Sequence, residues 1–328
     1  MTEEELIELW TLDRPMYEAW GQHVLARVVE RLRTKIAPLS ADIFIRIPPK
    51  LRLKGDASML EKAFYRKKGY ADPYADITDK VGVRFVVLLS DQIRIVEDAV
   101  TDCPDWDYSK DRDYEEEQQL NPIQFDYAAV HYIVRCRSDL SLTDVTVRAG
   151  TPCEIQVKTI LQHAYSELTH DTIHKPKVDA TPLMLRTAAK SMALIEATND
   201  YFLQVIEQVD KLVAPAKALT EGLAAVYRER VELEPEPTRA EGLILEAYEA
   251  EAGVDAVARL HTLLDQKAYL ADRVRAKATT TLLYRQPSIL LVYLLASERP
   301  TATKQKWPLT PDELRPTYVD LGLAFDNL

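Results

Sequence analysis

Arg52, Lys54, Ser58, Lys62 and Asp79 crowd into one short part of the sequence. Arg52 and Lys54 alternate, so a strand presents both on one face. Ser58 and Lys62 are four apart and share a face of a helix. A single carboxylate, Asp79, stands just before Val81-Gly82-Val83-Arg84-Phe85-Val86-Val87-Leu88-Leu89, a run of β-branched character that reads as a buried strand. Lysine and arginine meet phosphate oxygens, and a carboxylate holds a hard cation. Cations, a hydroxyl and one carboxylate converging on a strand mouth are what a magnesium triphosphate requires. The plain alternative is a solvated basic strand followed by an ordinary amphipathic helix. On these residues alone the two readings weigh about equally.

A second stretch shifts that balance. In Cys153-Glu154-Ile155-Gln156-Val157-Lys158 a strand presents Glu154, Gln156 and Lys158 on one face and Ile155 and Val157 on the other. Between the two stretches, Tyr127 to Val134 reads as a further strand and carries His131. A helix then holds His163, Glu167, His170 and His174 at steps of four, three and four, a spacing open to a zinc reading, which is set aside as the weaker one.

These side chains need elements to hold them. Residues 3 to 36 read as mainly helical, with Pro15 interrupting the run and starting a second helix. Ile43 to Ile47 reads as a strand, and residues 57 to 68 as the helix of Ser58 and Lys62. Strand 81–89 leads to a helix capped near Ser90 and Asp91 and ending about Val100. Residues 102 to 120 read as polar and irregular, with a short strand around Trp106 to Tyr108. Strands at 127–136 and 153–158 complete a sheet of about five strands, with another short strand near 144–147. Residues 183 to 230 read as helix broken at Pro215, packing back on the sheet. Glu232 to Pro237 is a charged, proline-marked linker. Residues 239 to 298 look all-helical, and Thr310-Pro311-Asp312-Glu313 starts a capped helix.

The chain has 328 residues, 47% hydrophobic and 28% charged, with a net charge of −11. That charge argues against a chain built throughout to bind nucleic acid, while allowing a local basic patch. Cys103, Cys136 and Cys153 are scattered without metal-ligand spacing and read as buried small hydrophobes of a reducing compartment. The acidic start, Glu3 to Glu5, does not resemble a secretory leader. The longest apolar run, near Ser288 to Ala296, is too short to span a bilayer, so the expectation is a cytoplasmic protein without a membrane partner.

Five motifs in order resemble the synthetase domain of the RelA/SpoT family, the alarmone or (p)ppGpp synthetases. They are Arg52-x-Lys54 with Ser58 and Lys62; Asp79-x-x-Gly82-x-Arg84; Tyr127 followed by His131; Glu154-Ile155-Gln156-x-Lys158-Thr159; and His163-Ala164-Tyr165-Ser166-Glu167 ending in His170-Asp171. The likeness covers roughly residues 40 to 176. It implies an α+β fold: a nucleotidyltransferase-like mixed β-sheet of about five strands flanked by helices, followed here by an all-α C-terminal region. The implied domains are 1–230 for the pyrophosphokinase and 239–328 for a helical, regulatory part. The whole resembles a small alarmone synthetase with an added helical region. The family's reaction moves pyrophosphate from ATP to the 3′-hydroxyl of GDP or GTP. By that resemblance Asp79 and Glu154 are catalytic and hold Mg2+, and Glu154 helps deprotonate the acceptor. Lys54, Ser58 and Lys62 contact donor phosphates, while Arg52 and Arg84 sandwich the adenine of ATP. Tyr127 stacks on the acceptor guanine, and His131, Gln156 and Lys158 serve the acceptor side. The hydrolase domain of bifunctional relatives would lie ahead of residue 40, so the expectation is a synthetase without one.

Three departures bear on the acceptor. Where the family has Gly-Tyr-Arg-Ser, this chain has Asp126-Tyr127-Ala128-Ala129, so an arginine is missing. Lys158 replaces an arginine and keeps charge without the bidentate fork. Tyr165 stands for the helix tryptophan. Related toxins modify the 3′ end of tRNA and others make adenosine alarmones, so a tRNA or adenosine acceptor, restrained by the C-terminal region, is the second expectation. Lys67, Lys68, Lys175 and Lys177 would be its basic surface. A non-catalytic nucleotide-binding sensor is the third. Self-association as a homo-oligomer is left open.

Overall fold

The structure, a computed structural model, describes residues 1–66, 69–120, 125, 129–142, 145–169, 172 and 180–326. The chain divides into two compact units, Met1–Val205 and Ile206–Leu328.

In the first unit a mixed five-stranded sheet has the order β1 (Leu51–Leu53), β2 (Val81–Val87), β7 (Pro152–Thr159), β4 (Val130–Cys136), β3 (Trp106–Arg112). Only β2 and β7 pair in parallel; the other neighbours are antiparallel. A separate two-stranded sheet joins β5 (Leu140–Leu142) to β6 (Val145–Val147). Alternation splits the sheet into two unlike faces. Val81, Val83, Phe85, Ile155, Val157, Val130, Tyr132 and Val134 are buried on one face. The other carries Gly82, Arg84, Glu154, Gln156, Lys158 and His131.

The apolar face is covered by α1 (Glu3–Ile36) and α5 (Asp91–Thr101). Helix α1 runs unbroken through Pro15, where the sequence suggested a second start. Proline costs an interior helix about 3 kcal/mol. The buried row Leu6, Trp10, Tyr17, Trp20, Val24, Val28 and Leu32 continues on both sides of it and outweighs that local cost. Asp105 ties α1 to the start of β3, accepting from His23 Nε2 and Arg27 Nε at 2.9 Å each.

Other expectations change. Residues 41 to 44 form a turn of helix, α2 (Ala41–Phe44), and Ile47 makes an isolated bridge to Val86, so no strand forms there. Helix α3 (Asp56–Leu60) passes into a π-helical turn at Glu61–Tyr65. A helical turn, α4 (Pro73–Asp76), is capped by the Asp72 side chain. Strand β3 is seven residues long and is followed by α6 (Tyr114–Leu120), in a segment expected to be irregular. Polar residues on an edge strand do not advertise themselves, because neither face must be apolar. Helix α7 (Ile160–Thr169) then lies against β7 and β2.

Helix α8 (Pro182–Val226) runs past Pro215 without a break. Met192 belongs to the core of the first unit. Leu219, Leu223 and Val226 belong to the core of the second, so the later part of the 183–230 segment contributes to that core. The boundary between units falls inside α8 and not in the proline-marked stretch. The second unit also holds α9 (Arg239–Ala252), α10 (Ala256–Gln266), α11 (Tyr269–Ala278), α12 (Ser288–Glu298), α13 (Pro300–Lys306) and α14 (Pro311–Leu321). The long apolar run is α12, buried on every side from Ser288 to Ala296. Glu241 caps it, accepting from the Ser288 backbone at 3.1 Å and from its hydroxyl at 2.5 Å. No helix among the described residues is long and apolar enough to cross a membrane.

Gly21 sets how closely α1 approaches the sheet. A Cβ there would lie 2.6 Å from Val81 Cγ2, with Leu51 Cβ at 3.5 Å. Gly21→Ala is therefore expected to destabilise the first unit by about 1–3 kcal/mol, the usual cost of overpacking. Urea titration followed by tryptophan fluorescence measures it, since Trp10, Trp20 and Trp106 are buried in this unit. An unchanged midpoint would refute the close contact.

Candidate active site

The polar face of the sheet opens into a cavity of about 1080 Å³. Its wall includes Arg52, Lys54, Ser58, Lys62, Asp79, Arg84, His131, Glu154, Gln156 and Lys158. Ten of the eleven residues singled out from the sequence thus meet around one space. The eleventh, Tyr127, lies outside the described residues, as do Lys67, Lys68, His170, His174, Lys175 and Lys177.

Strand register explains much of the meeting. Glu154 pairs with Gly82, and Gln156 with both Arg84 and His131. Paired residues point to the same side, so three strands deliver their polar side chains together. Gly82 keeps the space beside Glu154 open: a Cβ there would lie 3.7 Å from Glu154 Oε2, and a longer side chain would cover the carboxylate.

Asp79 sits between two ammonium groups. Lys54 Nζ lies 2.8 Å from Oδ2 and Lys62 Nζ 2.8 Å from Oδ1. Burial pushes this carboxyl up, but the two lysines more than offset it, holding it below the usual aspartate range. Lys54 is itself fixed through its backbone. Its N–H donates to Lys80 O at 2.8 Å, and its carbonyl accepts from Trp10 Nε1 at 3.1 Å.

Glu154 is partly buried too, and the loss of hydration raises its pKa. Contact with His131 Nδ1 at 3.3 Å and the hydrogen bond from Gln156 Nε2 at 2.8 Å outweigh that burial and the repulsion from Asp79, so its carboxyl is also held low. Both carboxylates are thus ionised and face one cavity, near enough for each charge to be felt by the other. A divalent cation between them would relieve that repulsion, and two hard oxygen donors suit magnesium, with phosphates and water completing its shell.

Also on the wall, Arg84 donates to Glu167 Oε1 at 2.8 Å and contacts His163 Nδ1 at 3.1 Å. Burial and the Arg84 charge push the His163 imidazole down, favouring its neutral form. His163 and Glu167 therefore clamp an arginine. Among the described residues no cluster of three or more His, Cys, Asp or Glu side chains is arranged to hold a metal. Arg84 Nε is buried and finds no partner among the described residues. Lys158, 1% exposed, lies at the cavity floor and donates to Ser166 Oγ at 3.1 Å.

Several cavity residues were not apparent from sequence. Arg112 reaches the wall because β3 is irregular between Lys110 and Arg112, which sets Arg112 opposite His131. Its guanidinium is held by Glu117 of α6 at 2.8–3.1 Å. No sequence signal marks that bulge. Lys50 and Arg66 also line the cavity, and their basic character in a basic stretch was the available hint.

Residues 51–179 match the family model described as "Region found in RelA / SpoT proteins". This segment is a RelA/SpoT domain. Its cavity residues all fall within the matched span apart from Ile47, Pro48 and Lys50. Similar solved structures include the small alarmone synthetase 1 of Bacillus subtilis, at 17% identity and TM-score 0.50, covering 62% of this chain and 99% of that one. The same protein bound to its product pppGpp gives 18% and 0.51, covering 62% and 98%. A GTP pyrophosphokinase family protein from Streptococcus pneumoniae gives 17% and 0.50, covering 65% and 97%. At such identities the likeness shows the fold. No curated protein matches the chain in sequence.

Burial, and then the Arg84 charge, push the Lys158 amine of the RelA/SpoT domain down to about 7 from its ordinary 10.5. Between those values the unfolded chain binds a proton that the folded chain does not, so this group makes stability rise with pH across that window. Lys158→Met removes the contribution. The gain in urea midpoint between about pH 7 and 9 is expected to shrink in the variant. An equal gain in both proteins would mean that the amine is not held neutral.

Proposed function

We propose that the RelA/SpoT domain transfers a pyrophosphoryl group from ATP to the 3′-hydroxyl of a guanosine nucleotide, GDP or GTP, in a magnesium-dependent reaction. The observation that carries this reading is the pair of ionised carboxylates, Asp79 and Glu154, facing a cavity whose wall also carries Arg52, Lys54, Lys62, Arg84, Arg112 and Lys158. Phosphoryl chemistry of this kind asks mainly for positioning and charge neutralisation.

In this reading Lys54 and Lys62 neutralise the triphosphate, with Ser58 beside them. Arg52 and Arg84 hold the adenine between guanidinium planes. The acceptor enters over His131 and Gln156. Its 3′-oxygen attacks the β-phosphorus of ATP, the bond from that phosphorus to the α–β bridging oxygen breaks, and AMP leaves with the bridging oxygen. Glu154 takes the proton of the hydroxyl, and its depressed pKa keeps it in the accepting form at neutral pH. Asp79 and Glu154 would hold Mg2+, which supplies charge neutralisation on the phosphates when bound. Lys54 and Lys62 occupy both Asp79 oxygens in this structure, and in this reading they exchange the carboxylate for phosphate as the metal nucleotide binds.

Labelled ATP offered with GDP, GTP, ADP, ATP or bulk tRNA, in magnesium, tests the assignment. The expected products are AMP and a 3′-pyrophosphorylated guanosine nucleotide. Product on ADP, ATP or tRNA alone would move the acceptor to adenosine or RNA. Failure to release AMP with every acceptor would sink the enzymatic reading. Asp79→Asn and Glu154→Gln are each expected to lower turnover by about 100-fold or more, as loss of an electrostatic or proton-accepting group does. Steady-state rates for folded variants measure this, and unaltered turnover in either would remove its assigned role.

A further inference from the structure

Lys80 directly follows Asp79 but does not join the cavity. It points toward α1 and is 1% exposed. Its ammonium donates to Ile77 O at 2.7 Å. It stands 4.6 Å from the ring centre of Tyr74 and 5.3 Å from that of Tyr17. Tyr74 in turn donates to Asp13 Oδ2 at 2.9 Å, and Asp13 pairs with Arg148. Burial pushes the amine down to about 8, partly offset by the negative charges of Asp79, Asp13 and Asp72.

A buried ammonium is costly, and packing alone would be satisfied by leucine or methionine. The placement of this one accounts for the expense. Its amine bridges back three residues to Ile77, a residue with no exposed surface, and so closes the segment that contains Asp79. Its own carbonyl accepts from Lys54 N–H at 2.8 Å, fixing the neighbouring chain from which one of the two Asp79 lysines projects. The aromatic rings hold the cation in place by their faces.

We infer that Lys80 is a positioning residue for the pyrophosphoryl transfer: by tying Ile77 O to the α1 side of the sheet, it holds residues 77–80 in the shape that turns the Asp79 carboxylate between Lys54 and Lys62. This rests on the reaction proposed above, and the test separates the two. Lys80→Met keeps the volume and removes the donor and the charge. Amide hydrogen exchange of peptides spanning 77–81 is expected to quicken about tenfold in the variant, while exchange in β4 and β7 is unchanged. Turnover is expected to fall about 10- to 100-fold, as it does when a reacting group is misplaced by a fraction of an ångström. The KM for ATP stays within about twofold and the thermal midpoint is not lowered, a split that a merely structural lysine would not give.

Unchanged exchange at 77–81 overturns the inference whatever the activity. Quickened exchange with undiminished turnover overturns it as well, and so does a loss of turnover that tracks a general loss of stability. Should Lys80→Met fail to fold, Tyr74→Leu, which leaves the lysine and removes one ring face, is expected to show the same local exchange and a turnover loss of about threefold; no change in either overturns the inference. If the wild-type protein makes no product, the reaction has failed, and local exchange alone decides whether Lys80 anchors the Asp79 segment.

Discussion

Everything in the first unit turns on a carboxylate held between two ammonium groups. Asp79 lies at the mouth of β2, largely buried, and would be driven toward its protonated form were Lys54 and Lys62 not 2.8 Å away on either side. An isolated buried charge is untenable, and a paired one is tenable only if its partners are themselves held. The surrounding architecture meets that demand. Lys54 is fixed by backbone bonds to Lys80 and by the Trp10 indole. Lys62 is presented by the turn that follows α3. Helix α1 therefore does more than cover the sheet; it fixes the chain just after β1 from which the Lys54 ammonium projects.

The second constraint is the parallel pairing of β2 with β7. Residues that pair in a sheet point to the same side, so bringing Gly82 opposite Glu154 places the second carboxylate where it feels the first. A one-residue slip would send Glu154 into the apolar face. That slip is blocked because Ile155 and Val157 must be buried against α1 and α5. The hydrophobic demand of one face thus fixes the chemistry of the other. The same alternation buries Lys158 beside the cavity, where loss of hydration pushes its amine down to about 7.

The strands of the sheet centre were legible in the residues: 81–87 and 153–158 are apolar on alternate positions and flanked by polar breaks. Ten residues that line the cavity were legible too, since polar side chains on alternate strand positions and at helical spacing stand out without a structure. The edge of the sheet was not. Strand β3 and helix α6 are built from polar residues whose pattern matches neither buried face, and the bulge that presents Arg112 leaves no mark in the sequence. Pro15 and Pro215 misled for a related reason: local propensity reads each as a break, but the helices continue through both. Ile43 to Ile47, apolar enough for a strand, is instead a helical turn and one bridging residue.

By itself, the sequence determined which cationic and acidic groups stand on one strand face and which strand faces must be buried, because both follow from residue type and from a period of two. It also carried enough ordered motif to announce a RelA/SpoT domain over residues 51–179. The tertiary structure alone decided that Arg84 is clamped by His163 and Glu167, that Lys80 turns away from the cavity, and that the second half of α8 belongs to the C-terminal helical core. Those outcomes depend on contacts between residues remote in the chain, where the cost of burying a charge or exposing an apolar stripe is settled by whatever neighbour the fold supplies.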